Sequence, residues 1–146
     1  MNIGQAAAAS GVSAKMIRYY ESIALMAPSG RTEAGYRVFS ESDLAALRFI
    51  RRARGLGFSL EQVGELMSLW RNEARASRDV QRIAAGHVEA LNERIAEMSE
   101  MRDALASLVS NCVANDRPDC AILRDLTDPA RDQRLPPAQP RGAESA

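Results

Sequence analysis

Two cysteines lie close together in the C-terminal third of the chain, with seven residues between Cys112 and Cys120. Thiolates are soft ligands, and two of them on one short loop suit a soft monovalent ion such as Cu(I), Ag(I) or Au(I). Zinc normally takes four ligands. The lone histidine, His87, lies more than twenty residues earlier. The pair therefore points away from zinc, and ordinary free thiols without a ligand are the alternative.

A second group of residues is basic and aromatic and lies in the first third of the chain. Arg and Lys neutralise phosphates or bind guanine edges, and Tyr hydroxyls donate to phosphate oxygens. This composition predicts a DNA-binding surface, against the alternative of a solvated helix face with partly buried tyrosines. The predicted DNA-binding residues are Lys15, Arg18, Tyr19, Tyr20, Arg31, Tyr36, Arg37 and Arg54.

The elements that must position this surface are predicted within residues 1–72. Two short helices flank the turn at 10–13, which is typical of a helix-turn-helix. Residues 31–39 favour a small hairpin, a wing. Capping-box spacings at 40–43 and 59–62 open two further helices that cover the first two. We expect a winged helix-turn-helix domain, with the second helix in the major groove and the wing on the flanking backbone.

A long helix is predicted over 77–109, because apolar residues recur there at spacings of three and four. Nothing else in the chain is available to cover this seam, so we expect a homodimer joined by a coiled coil, most simply antiparallel. Residues 110–128 should form a metal-binding loop and a short helix. Residues 129–146 are rich in Pro and predict a disordered tail. The seam consists of Val88, Leu91, Ile95, Met98, Met101, Leu105 and Leu108.

Composition agrees with a mainly α protein of one small domain plus an appended element. The chain has 146 residues, 46% hydrophobic and 26% charged, and no net charge. Residues 1–57 carry eight Lys or Arg and four Asp or Glu, so the basic charge is concentrated in the predicted DNA-binding part. We find no run of apolar residues long enough for a membrane span and no secretion signal, and expect a cytoplasmic protein. No catalytic arrangement is recognisable, so an enzyme is not expected.

Four sequence elements together resemble the MerR family of transcription regulators: residues 2–4, 15–21 (KMIRYYE), 35–37 (GYR) and 57–60 (GFSL). The resemblance covers about residues 1–126. It implies a winged-helix domain, a dimer through an antiparallel coiled coil, and activation with RNA polymerase by bending and underwinding promoter DNA when the inducer binds. Around 116–123 the chain is similar to the copper-responsive CueR/HmrR group. There Ser77 matches a non-ligand serine where divalent-metal members have a third cysteine.

These observations predict a cytoplasmic, homodimeric activator of copper-efflux or detoxification genes that responds to Cu(I), or to Ag(I) or Au(I), and binds double-stranded promoter DNA. Two alternatives stay open. One is a MerR-type regulator that senses another metal, or an oxidant through a disulfide between Cys112 and Cys120. The other is a copper-buffering protein, which gives no reason for a winged helix.

Overall fold

The computed structural model describes residues 1–27 and 30–134. This part of the chain is mainly α-helical, as predicted, and it divides into two compact units, Met1–Ile83 and a unit that starts at Ala84. The helices are α1 (Ile3–Ser10), α2 (Ala14–Ser22), α3 (Glu41–Gly55), α4 (Leu60–Arg71), α5 (Ser77–Asn111), α6 (Ala121–Leu126) and a final 3₁₀ helix (Pro129–Arg134).

Local capping signals begin the helices of the first unit. The Ser13 side chain accepts a hydrogen bond from the backbone of Met16 at the start of α2. Both predicted capping boxes are present, Ser40 with Asp43 at α3 and Ser59 with Gln62 at α4. Each cap satisfies backbone N–H groups that have no partner inside the helix, and is worth about 1 kcal/mol.

The core of the first unit lies between the helix-turn-helix and helices α3 and α4. Each large side chain that is fully buried contributes about 1.5–3 kcal/mol. Phe49 of α3 and Trp70 near the end of α4 also stack, with ring centroids 4.8 Å apart and planes 8° from parallel. The largest fully buried side chains are Ile17, Met26, Phe39, Leu47, Ile50, Val63 and Met67.

The wing differs from the hairpin that the sequence predicts, because the described residues form no extended strands there. A single antiparallel β-bridge joins Arg31 to Arg37. Between them, the Thr32 amide donates to the Tyr36 carbonyl at 2.7 Å, and Gly35 turns the chain with φ +86°. On the other side of the bridge, the Val38 amide donates to the Gly30 carbonyl at 3.1 Å, so the wing is a tight turn closed by one bridge.

The second unit contains most of α5, then a loop and α6. Apolar side chains of the predicted seam are exposed in the single chain, among them Ile95 (61%) and Met98 (64%). Beyond α6, residues Pro129–Arg134 of the predicted tail form a 3₁₀ helix. There the 3₁₀ helix is held by Arg131, whose guanidinium lies 2.6 Å from the Asp125 carboxylate. Residues 135–146 of the predicted tail lie outside the described residues.

Candidate metal centre and nucleic-acid interface

The two cysteines lie side by side. Cys112 follows the last residue of α5, Cys120 is the N-terminal capping residue of α6, and their Sγ atoms are 3.7 Å apart. Both side chains are half-buried and unoxidised. Metal–thiolate bonds are about 2.3 Å long, so both sulfurs can reach one ion from this arrangement. The loop between the helices therefore brings together the two ligands that the sequence predicts.

The backbone amides at the start of α6 affect the pKa of both cysteines. The nearby backbone amides of Leu123 and Ile122 and the Cys112 thiol lower the pKa of Cys120, whereas burial raises it. The pKa of Cys112 is raised, mainly because its thiol donates to Cys120, and the Ala121 amide opposes this rise. Anions are favoured at helix N-termini, so this turn stabilises negative charge on the sulfur pair.

Few other potential ligands surround the pair. Asp119 raises the pKa of both thiols, but its carboxylate faces the Arg124 guanidinium at 3.4 Å, and both side chains are exposed. Across residues 1–27 and 30–134, no three His, Cys, Asp or Glu side chains come together as a metal site. His87 is buried on α5. The donor set fits an ion of low coordination number and lacks the ligands of a structural zinc site.

Ser77 is the first residue of α5 and is exposed. Cys112 directly follows the other end of the same helix. Ser77 and Cys112 thus lie at the two ends of α5 in the sequence, and the predicted role of Ser77 in metal selectivity stays a prediction.

Five of the predicted DNA-binding residues are exposed on the first unit. Lys15, Arg18 and Tyr19 lie on the outer face of α2, and Arg31 and Tyr36 lie on the wing. Tyr36 is 74% exposed. Side chains of this type, exposed on a helix and an adjacent turn, can contact base edges and phosphates together.

Tyr20 requires a correction, because the structure places it in the core at 5% exposure. Burial raises the pKa of its phenol, with the positive charge of Arg54 opposing the rise. Ile17, three residues earlier on the same face, is also fully buried. Arg54 is half-buried and donates from Nη1 to the Phe58 carbonyl at 2.8 Å. Tyr20 therefore packs into the core on the buried face of α2.

Arg37 is also less available than the sequence suggests. Its Nη2 lies 2.7 Å from the Glu21 carboxylate, and both side chains are less than one-fifth exposed. The guanidinium also lies over the Phe39 ring at 5.2 Å. Glu21 is a residue that sequence reasoning missed, because opposite charges sixteen positions apart give no local signal. It ties the end of α2 to the wing.

The sequence profile described as "MerR HTH family regulatory protein" matches residues 1–70, and the profile "MerR, DNA binding" matches residues 44–108. The second region includes the long helix up to its last turn. The chain belongs to the MerR family of transcription regulators. The chain is therefore a DNA-binding regulator and not an enzyme.

Individual MerR relatives extend the match into the cysteine loop. Heavy metal-dependent transcription regulator 2 of Rhizobium meliloti is 50% identical over 128 residues, which cover 88% of this chain and 87% of that protein. The HTH-type transcriptional regulator CueR of Salmonella typhimurium is 38% identical over 127 residues, 87% of this chain and 92% of that protein.

A solved MerR-type structure has a similar fold. The transcription regulator PbrR691 of Ralstonia metallidurans CH34, crystallised in complex with lead(II), superposes with a TM-score of 0.76 at 26% identity and covers 86% of this chain and 98% of that chain. In the described part of the chain, no helix is long and apolar enough to cross a membrane.

Proposed function

We propose that this protein is a cytoplasmic, homodimeric transcription activator that binds Cu(I), or Ag(I) or Au(I), at Cys112 and Cys120 and then switches on copper-efflux or detoxification genes. The observation that carries the proposal is the 3.7 Å approach of the two sulfurs at the N-terminal end of α6. A heavy metal-dependent relative at 50% identity supports a metal as the inducer.

Charge favours a monovalent ion at this pair. Two thiolates around one monovalent cation leave a net charge of −1, whereas a divalent cation leaves a neutral centre. The amides of Ile122 and Leu123 stabilise negative charge at Cys120. A partly buried anion is stable only with such partners. The site therefore favours a monovalent ion, which leaves the net charge of −1 on the sulfur pair. Soft thiolates also favour Cu(I) over harder ions.

The exposed seam on α5 supports the dimer. An apolar stripe that is exposed along one face of a helix is stable in water only when a second surface covers it, and a copy of the same helix fits the repeat. In an antiparallel pair, the start of one α5 lies beside the end of the other. This arrangement would bring Ser77 of one chain toward the cysteine loop of its partner, where a serine supplies no third thiolate.

Metal binding would act on the shape of the promoter. A homodimer carries two copies of α2, each of which enters a major groove of a near-palindromic site. Capture of the ion would fix the loop and α6 and favour one arrangement of the dimer over another. If that arrangement fits bent and underwound DNA, the promoter elements are presented to RNA polymerase. Switching then depends on DNA shape more than on affinity.

Metal titration and transcription test the proposal together. The reduced protein should bind one Cu(I) per chain with two sulfur ligands in the X-ray absorption spectrum, and Cys112→Ser or Cys120→Ser should abolish binding. Cu(I) should raise transcription from the target promoter with RNA polymerase, and Zn(II) should not. A Zn(II) response without a Cu(I) response would overturn the choice of ion.

The same sulfur distance favours one second candidate, an oxidant sensor. Sulfurs 3.7 Å apart need to approach to about 2.05 Å to form a disulfide. Mass measurement of the protein under non-reducing conditions after peroxide treatment distinguishes the candidates. A rapid loss of two hydrogens that activates transcription without metal would favour the oxidant sensor.

A further inference from the structure

A groove of about 420 Å³ lies between the C-terminal end of α1 and the second half of α3 in the first unit. We call it the arginine groove, because three of its six lining residues are arginines and none of the described lining residues is acidic. The lining residues are Ser10, Arg48, Arg51, Arg52, Gly55 and Leu56.

The three arginines share one face of α3, since positions 48, 51 and 52 are separated by three and four residues. All three are exposed. None of them has a carboxylate within 4.0 Å in the described ranges, 1–27 and 30–134. The acidic residues of α3, Glu41 and Asp43, lie in its first turn. The groove therefore carries three positive charges without a counterion from the described part of the chain.

Two of the arginines are held against the turn of the helix-turn-helix. Arg48 donates from Nη2 to the Ala9 carbonyl at 3.4 Å. The Arg51 guanidinium fills the space above Gly11, where a Cβ atom would lie 2.6 Å from its Nη1. These contacts stabilise the C-terminal end of α1, whose carbonyls favour positive charge. Each guanidinium has five N–H groups, so these contacts leave most of the hydrogen-bond donors of Arg48 and Arg51 available to a ligand.

The arginine groove lies beside the turn between α1 and α2, and this position indicates which ligand its free N–H donors bind. In a helix-turn-helix, the first helix crosses the DNA backbone while the second lies in the major groove. A groove at the end of α1, lined by guanidinium groups without counterions, matches a phosphate in both charge and geometry, since guanidinium can bind phosphate through two parallel hydrogen bonds.

We propose that the arginine groove binds phosphates of the DNA backbone beside the contacts of α2 and the wing, and so adds a third contact region to each half-site. The inference rests on the DNA-binding surface proposed above. Its ligand is the phosphodiester backbone, so the contribution is independent of base sequence. Binding of an acidic protein segment by the same groove would be a different function, and the test separates the two.

The test uses the full-length protein and a duplex of about 40 base pairs with random sequence, since backbone contacts alone support nonspecific binding. The groove variant is Arg48→Gln with Arg52→Gln. Arg51 is kept because it packs over Gly11. The matched control is Arg71→Gln with Arg78→Gln, which removes the same charge from exposed positions outside the groove. Arg18→Gln serves as the reference for the α2 surface.

The measurement is the affinity by filter retention over a series of salt concentrations. Each lost phosphate contact lowers the slope of log K against log salt by about 0.9, so we expect the groove variant to lose about 1–2 units of slope and the control to lose much less. Circular dichroism checks that the variants melt like the original protein.

A groove variant that keeps the slope of its matched control, while Arg18→Gln lowers it, overturns the groove proposal and leaves DNA binding by α2 intact. If such a variant also binds RNA polymerase less well, the groove binds an acidic protein segment. If Arg18→Gln has no effect either, the proposed DNA-binding surface itself fails.

Discussion

The Glu21 carboxylate and the Arg37 guanidinium form an ion pair of 2.7 Å that joins the end of α2 to the wing. Both side chains are more than four-fifths buried, so solvent screens the pair much less than it screens an exposed one. The pair ties the end of α2 to the residue that follows Tyr36 in the wing. We therefore expect Arg37 to act on DNA binding chiefly by holding the wing against α2.

Glu21→Gln should therefore weaken both the fold and DNA binding. The change removes the negative charge and leaves a largely buried guanidinium without its counterion, and we expect a loss of about 1–3 kcal/mol in the free energy of unfolding. Urea titration measures this loss. The control Asp103→Asn breaks an ion pair whose side chains are 71% and 69% exposed, and should change stability by less than about 0.5 kcal/mol. Equal effects of the two variants would contradict a structural role for Glu21.

Tyr19 and Tyr20 should separate DNA binding from stability. Tyr20→Ala removes a buried ring and should cost about 3–5 kcal/mol of folding free energy. Tyr19 is 37% exposed, so Tyr19→Ala should cost less than about 1 kcal/mol while it lowers the affinity for promoter DNA. Thermal melts and DNA titration of both variants provide the check. Unchanged DNA affinity in Tyr19→Ala would remove Tyr19 from the proposed surface.

The exposed seam predicts a dimer that one charge can break. Ile95→Glu places a carboxylate in the centre of the apolar stripe, where its burial in a dimer would leave it unpaired. Sedimentation equilibrium should give twice the chain mass for the original protein and a smaller, concentration-dependent mass for Ile95→Glu. Ala96→Glu adds the same charge at the neighbouring exposed position and should remain a dimer. Dissociation of both variants to the same extent would argue against the seam as the interface.

The alkylation rates of the two thiols should depend differently on pH. The lowered pKa of Cys120 gives it more thiolate at a given pH, so its alkylation by iodoacetamide should begin at lower pH than that of Cys112. In Cys120→Ala the main cause of the raised Cys112 pKa is removed, and the alkylation profile of Cys112 should shift to lower pH. Mass spectrometry of metal-free protein resolves the two sites. The opposite order of reaction would contradict the role of the α6 amides.

Gly11 and Gly35 provide a matched pair for backbone strain. Both have positive φ, +76° and +86°, so alanine at either position should cost about 1–2 kcal/mol. Around Gly35 a Cβ atom would meet open space, whereas at Gly11 it would displace the Arg51 guanidinium. Urea titration should show the larger loss for Gly11→Ala. Adding Arg51→Ala to Gly11→Ala should remove the difference, and a purely additive result would contradict the contact.

Features with local signals were predictable from the sequence. The capping boxes at Ser40 and Ser59 and the apolar repeat of α5 depend on residues a few positions apart, and the helices begin where these signals place them. The approach of Cys112 to Cys120 was also predictable, because a loop of seven residues limits how far apart they lie. The burial of Tyr20 had a signal too, since Ile17 lies three residues earlier on the same face.

Features that depend on distant partners were not predictable in this way. From the sequence, Arg37 is predicted to contact DNA. Its ion pair with Glu21, sixteen residues away, becomes visible only in the folded chain. The segment 129–134 has the composition of a tail, yet the ion pair of Arg131 with Asp125 holds it as a 3₁₀ helix. The lowered pKa of Cys120 depends on the backbone at the start of α6, which residue types alone do not specify.

The stacking of Trp70 on Phe49 gives the protein a built-in optical probe. Trp70 is the sole tryptophan of the chain, and it lies where α4 meets α3. Its emission comes from one site in the first unit, so a change of wavelength on loosening of these helices can be assigned without any attached dye. Because the indole is 41% exposed, added quenchers such as acrylamide can reach it. Spectra recorded during DNA or metal titration would therefore report on this helix pair alone.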